Sequence, residues 1–256
     1  MTPPKPLPPS SEQLVDFYEA SYAHEGEQAQ LYERWRTLGA VGKADHVIEL
    51  CDRVGAQPQS TLDVGCGDGA LLCELATRGF SGRLHGLEIA QAAVAIASAR
   101  SGIDSVELYD GRDLSCEKHR YDLGIVSHVL EHVTEPELLL AEVARVCGTV
   151  VVEVPLEHNL SARRAAKREH SAEVGHLQRL SRASMRAIVE RAGLHLAAEL
   201  EDPLPLRAHT FFAVSAAARA RARVKWAIRT SVHRLAPWLA RRLFTVHYAC
   251  ICTPSA

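Results

Sequence analysis

A short list of acids, glycines and histidines in this 256-residue chain has the types and spacing to do chemistry. The stretch TLDVGCGDGA, residues 61–70, ends a β-branched and apolar run in Asp63 and follows it with Gly65, Gly67 and Gly69. Glycines at alternate positions let backbone approach a ligand closely. Read as Gly65-x-Gly67-x-x-Ala70, the stretch satisfies the dinucleotide fingerprint, which predicts a nicotinamide or flavin on the following helix. Read as Asp63-x-Gly65-x-Gly67-x-Gly69, it is an acid-led turn with a different ligand, and the turn alone does not decide. Glu88 follows Gly65 at the interval where an acid accepts ribose hydroxyls. Asp110, Ser127, His128, Glu131, His132, His158 and His176 complete the set.

The elements that must position these residues follow from periodicity. Thr61–Val64, RLHGLEI (83–89), SVELYD (105–110), YDLGIVSHV (121–129), GTVVVEVP (148–155) and LHLAAELED (194–202) read as strands. Helical patterns separate them, with Pro136 as a helix start and Ser181 as an N-cap. Residues 12–54 also read as helical, with Phe17 and Tyr18 on one face and Val47, Leu50 and Val54 on another. This β-α rhythm predicts an α/β fold with a doubly wound, mostly parallel sheet. Ligands should then gather outside the carboxyl ends of the strands, where Asp63, Glu88, Asp110, Ser127 and His128 all fall.

Composition narrows the class. A 47% apolar and 23% charged chain is ordinary for a globular protein, and no apolar run approaches a membrane span. Residues 1–11, rich in proline, predict a disordered tail rather than a secretory leader. Seven cysteines without a C-x-x-C pair argue against a disulfide framework and for the cytoplasm. Residues 203–256 hold nine of the 29 Lys and Arg but none of the 31 Asp and Glu. Near-neutral overall charge and 5% aromatics argue against a nucleic-acid partner.

The ordered set LDVGCGDG, GLEIA, YDGRDL, YDLGIVSHVLEHV and VVEVPLEHN resembles class I S-adenosylmethionine-dependent methyltransferases over residues 55–202. It is most similar to the branch of ubiquinone and menaquinone biosynthesis, whose later GH…L…L…aGF run GHLQRLSRASMRAIVERAGL also resembles. The resemblance implies a seven-stranded Rossmann-like sheet whose last strand, LFTVHYACICTP (243–254), is antiparallel. It implies a helical cap over 12–54, a cofactor-binding core over 55–202, and a basic helical insertion with the final strand over 203–256. S-adenosylmethionine is the implied cofactor. Asp63 then helps hold its methionine part, beside backbone of Gly65, Cys66 and Gly67. Glu88 accepts the ribose hydroxyls and Ile89 packs on adenine. Asp110, with Gly111 alongside, takes the adenine amino group, and Ser127 lies near the reacting end. An acid just before the glycines suits this cationic ligand better than a pyrophosphate.

The implied activity is methyl transfer to an oxygen or nitrogen of a small-molecule acceptor. The alternatives are a methyltransferase-like binding module without turnover and an NAD(P)-dependent oxidoreductase. His132, His176 and His128 are the base candidates, with His158 behind them. HVLEH (128–132) matches H-x-x-E-H, a zinc-protease arrangement, but it begins in a buried strand rather than mid-helix, so no metal is assigned. Related quinone O-methyltransferases place a divalent ion at E-x-x-E-H, and His128 replaces the first acid here, which disfavours magnesium. In the basic segment Val224, Ile228, Val232 and Leu235 form one helical stripe, largely opposite Arg219, Arg223, Arg229 and Arg234. That helix is read as a solvated face, as a lid for an anionic acceptor, or as a peripheral contact for anionic lipid.

Overall fold

The structure, a computed structural model, describes residues 11–23, 26–114 and 121–255. Nearly all of the proline-rich tail lies outside them. Seven strands form one sheet: β1 (Ser60–Val64), β2 (Arg83–Glu88), β3 (Ser105–Leu108), β4 (Tyr121–Ser127), β5 (Cys147–Leu156), β6 (Leu194–Asp202) and β7 (Val246–Pro254). Their order is β3-β2-β1-β4-β5-β7-β6, parallel except for β7, which runs antiparallel to both β5 and β6. The chain leaves β1 toward β2 on one side and later returns through β4 on the other. That switch point opens a crevice at the carboxyl end of β1.

The helices are α1 (Ser11–Tyr22), α2 (Gly26–Val54), α3 (Ala70–Thr77), α4 (Gln91–Ser98), α5 (Pro136–Val146), α6 (Ala165–Glu173), α7 (Arg182–Arg191), α8 (Leu206–Thr210), α9 (Ala216–Leu235) and α10 (Pro237–Leu243). Period-two alternation sorts the strand side chains onto the two faces. Leu123, Ile125, Val151 and Ile251 pack against α2 and α3. Val126, Val152, Cys250 and Cys252 pack against α5 and α7. Pro136 opens α5. Ser181 caps α7, its Oγ accepting from Ser184 N at 3.1 Å while Ser184 Oγ accepts from Ser181 N at 2.8 Å.

The N-terminal helices cover the carboxyl edge of the sheet. Glu19 of α1 accepts from Ala92 N at 3.0 Å and from Gln91 N, closing the first turn of α4. Trp35 of α2 packs at a tilt against the rings of Phe211 and Phe212, just after α8. Helix α9 has the amphipathic pattern of its sequence but turns the apolar stripe outward. Val224, Ile228 and Leu235 are exposed, whereas Trp226, Arg229 and Thr230 are half-buried. Arg229 donates to Thr245 O and lies over the Phe244 ring.

Candidate active site

The carboxyl ends of β1, β2, β4 and β5, roofed by α1 and α2, enclose a cavity of about 1150 Å³. That exceeds the ~300–1,000 Å³ typical of a single-ligand pocket. Asp63, Gly65, Cys66, Gly67, Glu88, Ile89, Asp110, Gly111 and Ser127 all line it, together with His128 and His132.

The glycine turn forms because Gly65, Gly67 and Gly69 all take positive φ, at 76°, 57° and 74°. A Cβ on Gly65 would come within 2.6 Å of Val129, and one on Gly67 within 2.5 Å of the Tyr22 hydroxyl. The turn spends its own amides: Gly65 N and Cys66 N donate to Leu87 O, and Gly69 N to Cys66 O. Gly67 N donates to Glu88 Oε2 at 2.8 Å. These four N–H groups therefore have no room for a pyrophosphate oxygen. Asp68 adds a further acid to the turn, buried against Arg36 at 2.8 Å and Arg100 at 3.1 Å. Asp68 sits inside the quoted motif, but its spacing does not mark it, because its partners Arg36 and Arg100 lie 32 residues away on either side.

Three of the acids that line the cavity, Asp63, Glu88 and Asp110, differ in their surroundings. Burial pushes the Asp63 carboxyl up to about 7, with Lys43 pulling it down and Glu88 pushing it up. Burial also raises Glu88, while hydrogen bonds from Gly67, Ala90 and Ile89 oppose it. Asp110 is exposed, and hydrogen bonds from Asp113 N at 3.0 Å and Arg112 N at 2.8 Å hold its carboxyl below the ordinary range.

The histidines divide. His132 donates from Nδ1 to Gly175 O at 3.1 Å, and burial takes it down to about 4, so the ring is neutral at pH 7. His128 takes a left-handed backbone at φ 59°, which carries its ring between Glu131 (3.1 Å) and Glu153 (3.4 Å). His176 turns its Nδ1 to Glu157 at 2.8 Å, and neither it nor the exposed His158 is among the lining residues. Two further histidines do line the cavity, His46 of α2 and His247 of β7, with Glu153 between them. The sequence signal for Glu153 is a lone acid inside the β-branched run GTVVVEVP; His46 and His247 had none.

Residues 32–199 match the family model described as a methyltransferase domain. The chain belongs to that family. The class I adenosylmethionine-dependent type expected from the motifs is thus the family found. Among curated relatives, ajmaline N-methyltransferase of Rauvolfia serpentina is 28% identical over 116 residues, which are 43% of this chain and 40% of the relative. An uncharacterized 37.1 kDa protein in a Streptomyces fradiae transposon is 37% identical over 102 residues, 38% of this chain and 30% of the relative. The chain thus spans well under half the length of these relatives. Magnesium protoporphyrin IX methyltransferase from Synechocystis, with bound adenosylhomocysteine, superposes with a TM-score of 0.59 at 14% identity, covering 96% of this chain and 99% of that one. The cyclase SpnF superposes at 0.61 with 16% identity, covering 97% and 98%. These likenesses show the shared fold.

Proposed function

We propose that this methyltransferase-domain protein moves the methyl group of S-adenosylmethionine to an oxygen or nitrogen of a small-molecule acceptor held in the same cavity. The observation that carries this reading is the self-satisfied glycine turn. Its amides are spent on Leu87, Cys66 and Glu88, so acceptor groups rather than phosphate-binding donors face the ligand. Asp63, Glu88 and Asp110, among the acids that line the cavity, suit a ligand that offers an ammonium, a ribose diol and an adenine amine. Asp63 would take the ammonium, Glu88 the ribose hydroxyls with Ile89 against the base, and Asp110 with Gly111 the adenine amine. Cys66 and Ser127 contribute backbone beside them.

Adenosylmethionine, when bound, supplies an electrophilic methyl on sulfur, and the chain supplies alignment for in-line transfer. His132 is the best-placed base, since its Nδ1–H is committed to Gly175 O and leaves Nε2 as an acceptor. The rest of the cavity wall includes Leu38, Val133, Leu138, Leu204 and Pro205, which suits an apolar acceptor body. Lys43 and Arg112 line it as well and would favour an anionic group, whereas no residue of α9 is among the lining residues described. Kinship with the quinone-biosynthesis branch rests on the sequence motifs. A second reading, binding without methyl transfer, draws on SpnF, a cyclase on the same fold.

Calorimetric titration with adenosylmethionine, adenosylhomocysteine and NADH, followed by a methyl-label screen of acceptors, separates the readings. The expected result is binding of the first two, none of NADH, and a labelled product. Binding of NADH alone overturns the proposal, and tight adenosylmethionine binding with no product across the panel favours the second reading.

A further inference from the structure

The geometry points to a divalent transition-metal site in which His128, Glu153 and His247 are the ligands, with His46 on the other carboxylate oxygen as a positioning group, at the wall of the cavity and apart from Asp63, Glu88 and Asp110. Glu153 stands midway along β5 with its side chain 2% exposed. Its Oε1 lies 3.4 Å from His128 Nε2 and 3.3 Å from His247 Nδ1, and its Oε2 lies 3.2 Å from His46 Nδ1. The donor atoms of His128, Glu153 and His247 all fall within 4.8 Å of one another. Four elements distant in sequence, α2, the end of β4, β5 and β7, thus deliver three imidazoles to one buried carboxylate.

Hydrogen bonding accounts poorly for this convergence. His247 Nδ1 does hydrogen-bond Glu153 at 3.3 Å, but among the described residues the buried His46 Nδ1 and His128 Nε2 meet that carboxylate only as ion pairs, outside hydrogen-bond geometry. Unsatisfied buried nitrogens are costly unless something else engages them. An ion with bonds of ~2.0–2.1 Å sets tetrahedral ligands about 3.3–3.4 Å apart, which is the spacing of the His128 and His247 contacts. Two of the three remaining ring nitrogens have a carboxylate of their own. His128 Nδ1 faces Glu131 at 3.1 Å, and His46 Nε2 faces Asp202 at 3.4 Å. A ligating imidazole commonly has such an outer carboxylate, which fixes its orientation. The left-handed backbone of His128, a strained state for a non-glycine residue, is what aims its ring at Glu153.

Two imidazoles with one carboxylate suit zinc, iron(II) or cobalt(II) rather than magnesium. Because all three ligands line the cavity, a tetrahedral ion would keep its fourth position open toward the acceptor. The neighbouring group of Glu131, His132 and His176 is a second cluster of the same kind, and the variants below tell the two apart.

The test is cobalt(II) and zinc(II) titration of the full chain after chelator treatment. One equivalent of cobalt(II) with visible d–d absorption, displaced by zinc(II), is expected. Glu153→Gln and His247→Ala should each weaken binding by about 100-fold or more, and His176→Ala should leave it unchanged. Circular dichroism and adenosylhomocysteine affinity confirm that each variant is folded. If a variant fails to fold, X-ray absorption of the zinc-loaded wild type decides, with two imidazoles expected around the ion. No stoichiometric binding, one imidazole or none, or binding lost in His176→Ala but kept in Glu153→Gln overturns the site. A wild type that holds metal but ignores adenosylmethionine would sink the methyl-transfer reading and leave the metal site standing.

Discussion

Asp63 offers the most direct readout of the cofactor pose, because its carboxyl is pushed to about 7 by burial and must ionise to hold an ammonium. Adenosylmethionine binding should therefore release a proton below pH 7, and affinity should rise with pH between about 5 and 7, approaching tenfold per unit on the acid side. An opposite limb should appear where the ligand's own amine deprotonates, at about pH 7.7–8.0. Asp63→Asn should bind weakly with a flat acid limb, and a flat acid limb in the wild type would remove Asp63 from the role. His132→Ala should lower turnover about 100-fold or more, the scale of a lost general base, while adenosylhomocysteine affinity stays within about twofold. His176→Ala, turned to Glu157, should spare the chemistry. Equal losses in both variants would argue for a structural role of the 128–132 loop instead. The place of Asp63, Glu88 and Asp110 on the cavity wall is legible in the sequence, because strand ends and a glycine turn announce them locally. That of His46, Glu153 and His247 is not, since only tertiary pairing of α2, β5 and β7 brings them together.

At the scale of elements, α1 acts as a clamp on the glycine turn. The Tyr22 hydroxyl occupies the space a Cβ on Gly67 would need, and Gly67 sits at φ 57°. Gly67→Ala should thus weaken adenosylmethionine binding both by backbone strain of about 1–2 kcal/mol and by pushing α1 off the turn. Tyr22→Phe removes the clashing oxygen and should recover the second part but not the first. A double-mutant cycle on cofactor affinity should show coupling of about 0.5 kcal/mol or more; additive effects would mean α1 does not dock there in solution. The strands themselves were readable to within a few residues, because β-branched runs such as GTVVVEVP carry the signal locally. Even the antiparallel last strand was anticipated through the family pattern. The facing of α9 was not readable. Its stripe of Val224 and Ile228 suggests an inward face, yet Arg229 binds Thr245 O and turns that stripe outward. A hydrophobic pattern states which residues share a face, not which face meets the protein.

Across the whole molecule, the uneven charge is used to fasten the antiparallel edge of the sheet. Arg241 of the basic segment pairs with Glu201 of β6 at 2.9 Å. Glu199, on the same strand, gathers Arg186 at 2.6 Å, Arg182, and the Tyr248 hydroxyl of β7 at 2.7 Å. Its backbone carbonyl accepts from Arg53 of α2 at 2.8 Å, so one residue ties together α2, β6, α7 and β7. Burial pushes the Glu199 carboxyl up, but the bonds from Arg182, Tyr248 and Arg186 outweigh it and bring it down to about 2. Its unfolded-state value is the ordinary one near 4.5. A depressed acid stabilises the fold fully above the unfolded value and loses that contribution as pH falls through the folded one. Thermal stability should therefore decline from about pH 4.5 toward pH 2. In Glu199→Gln the decline should be shallower, with a lower melting temperature at pH 7, where the wild type has the full benefit. Arg186→Ala should do less, because Arg182 and Tyr248 remain and a half-exposed pair contributes little. If Glu199→Gln melts with the same pH slope as the wild type, the acid sensitivity belongs to other carboxylates and the edge is held by packing of β7 between β5 and β6 alone.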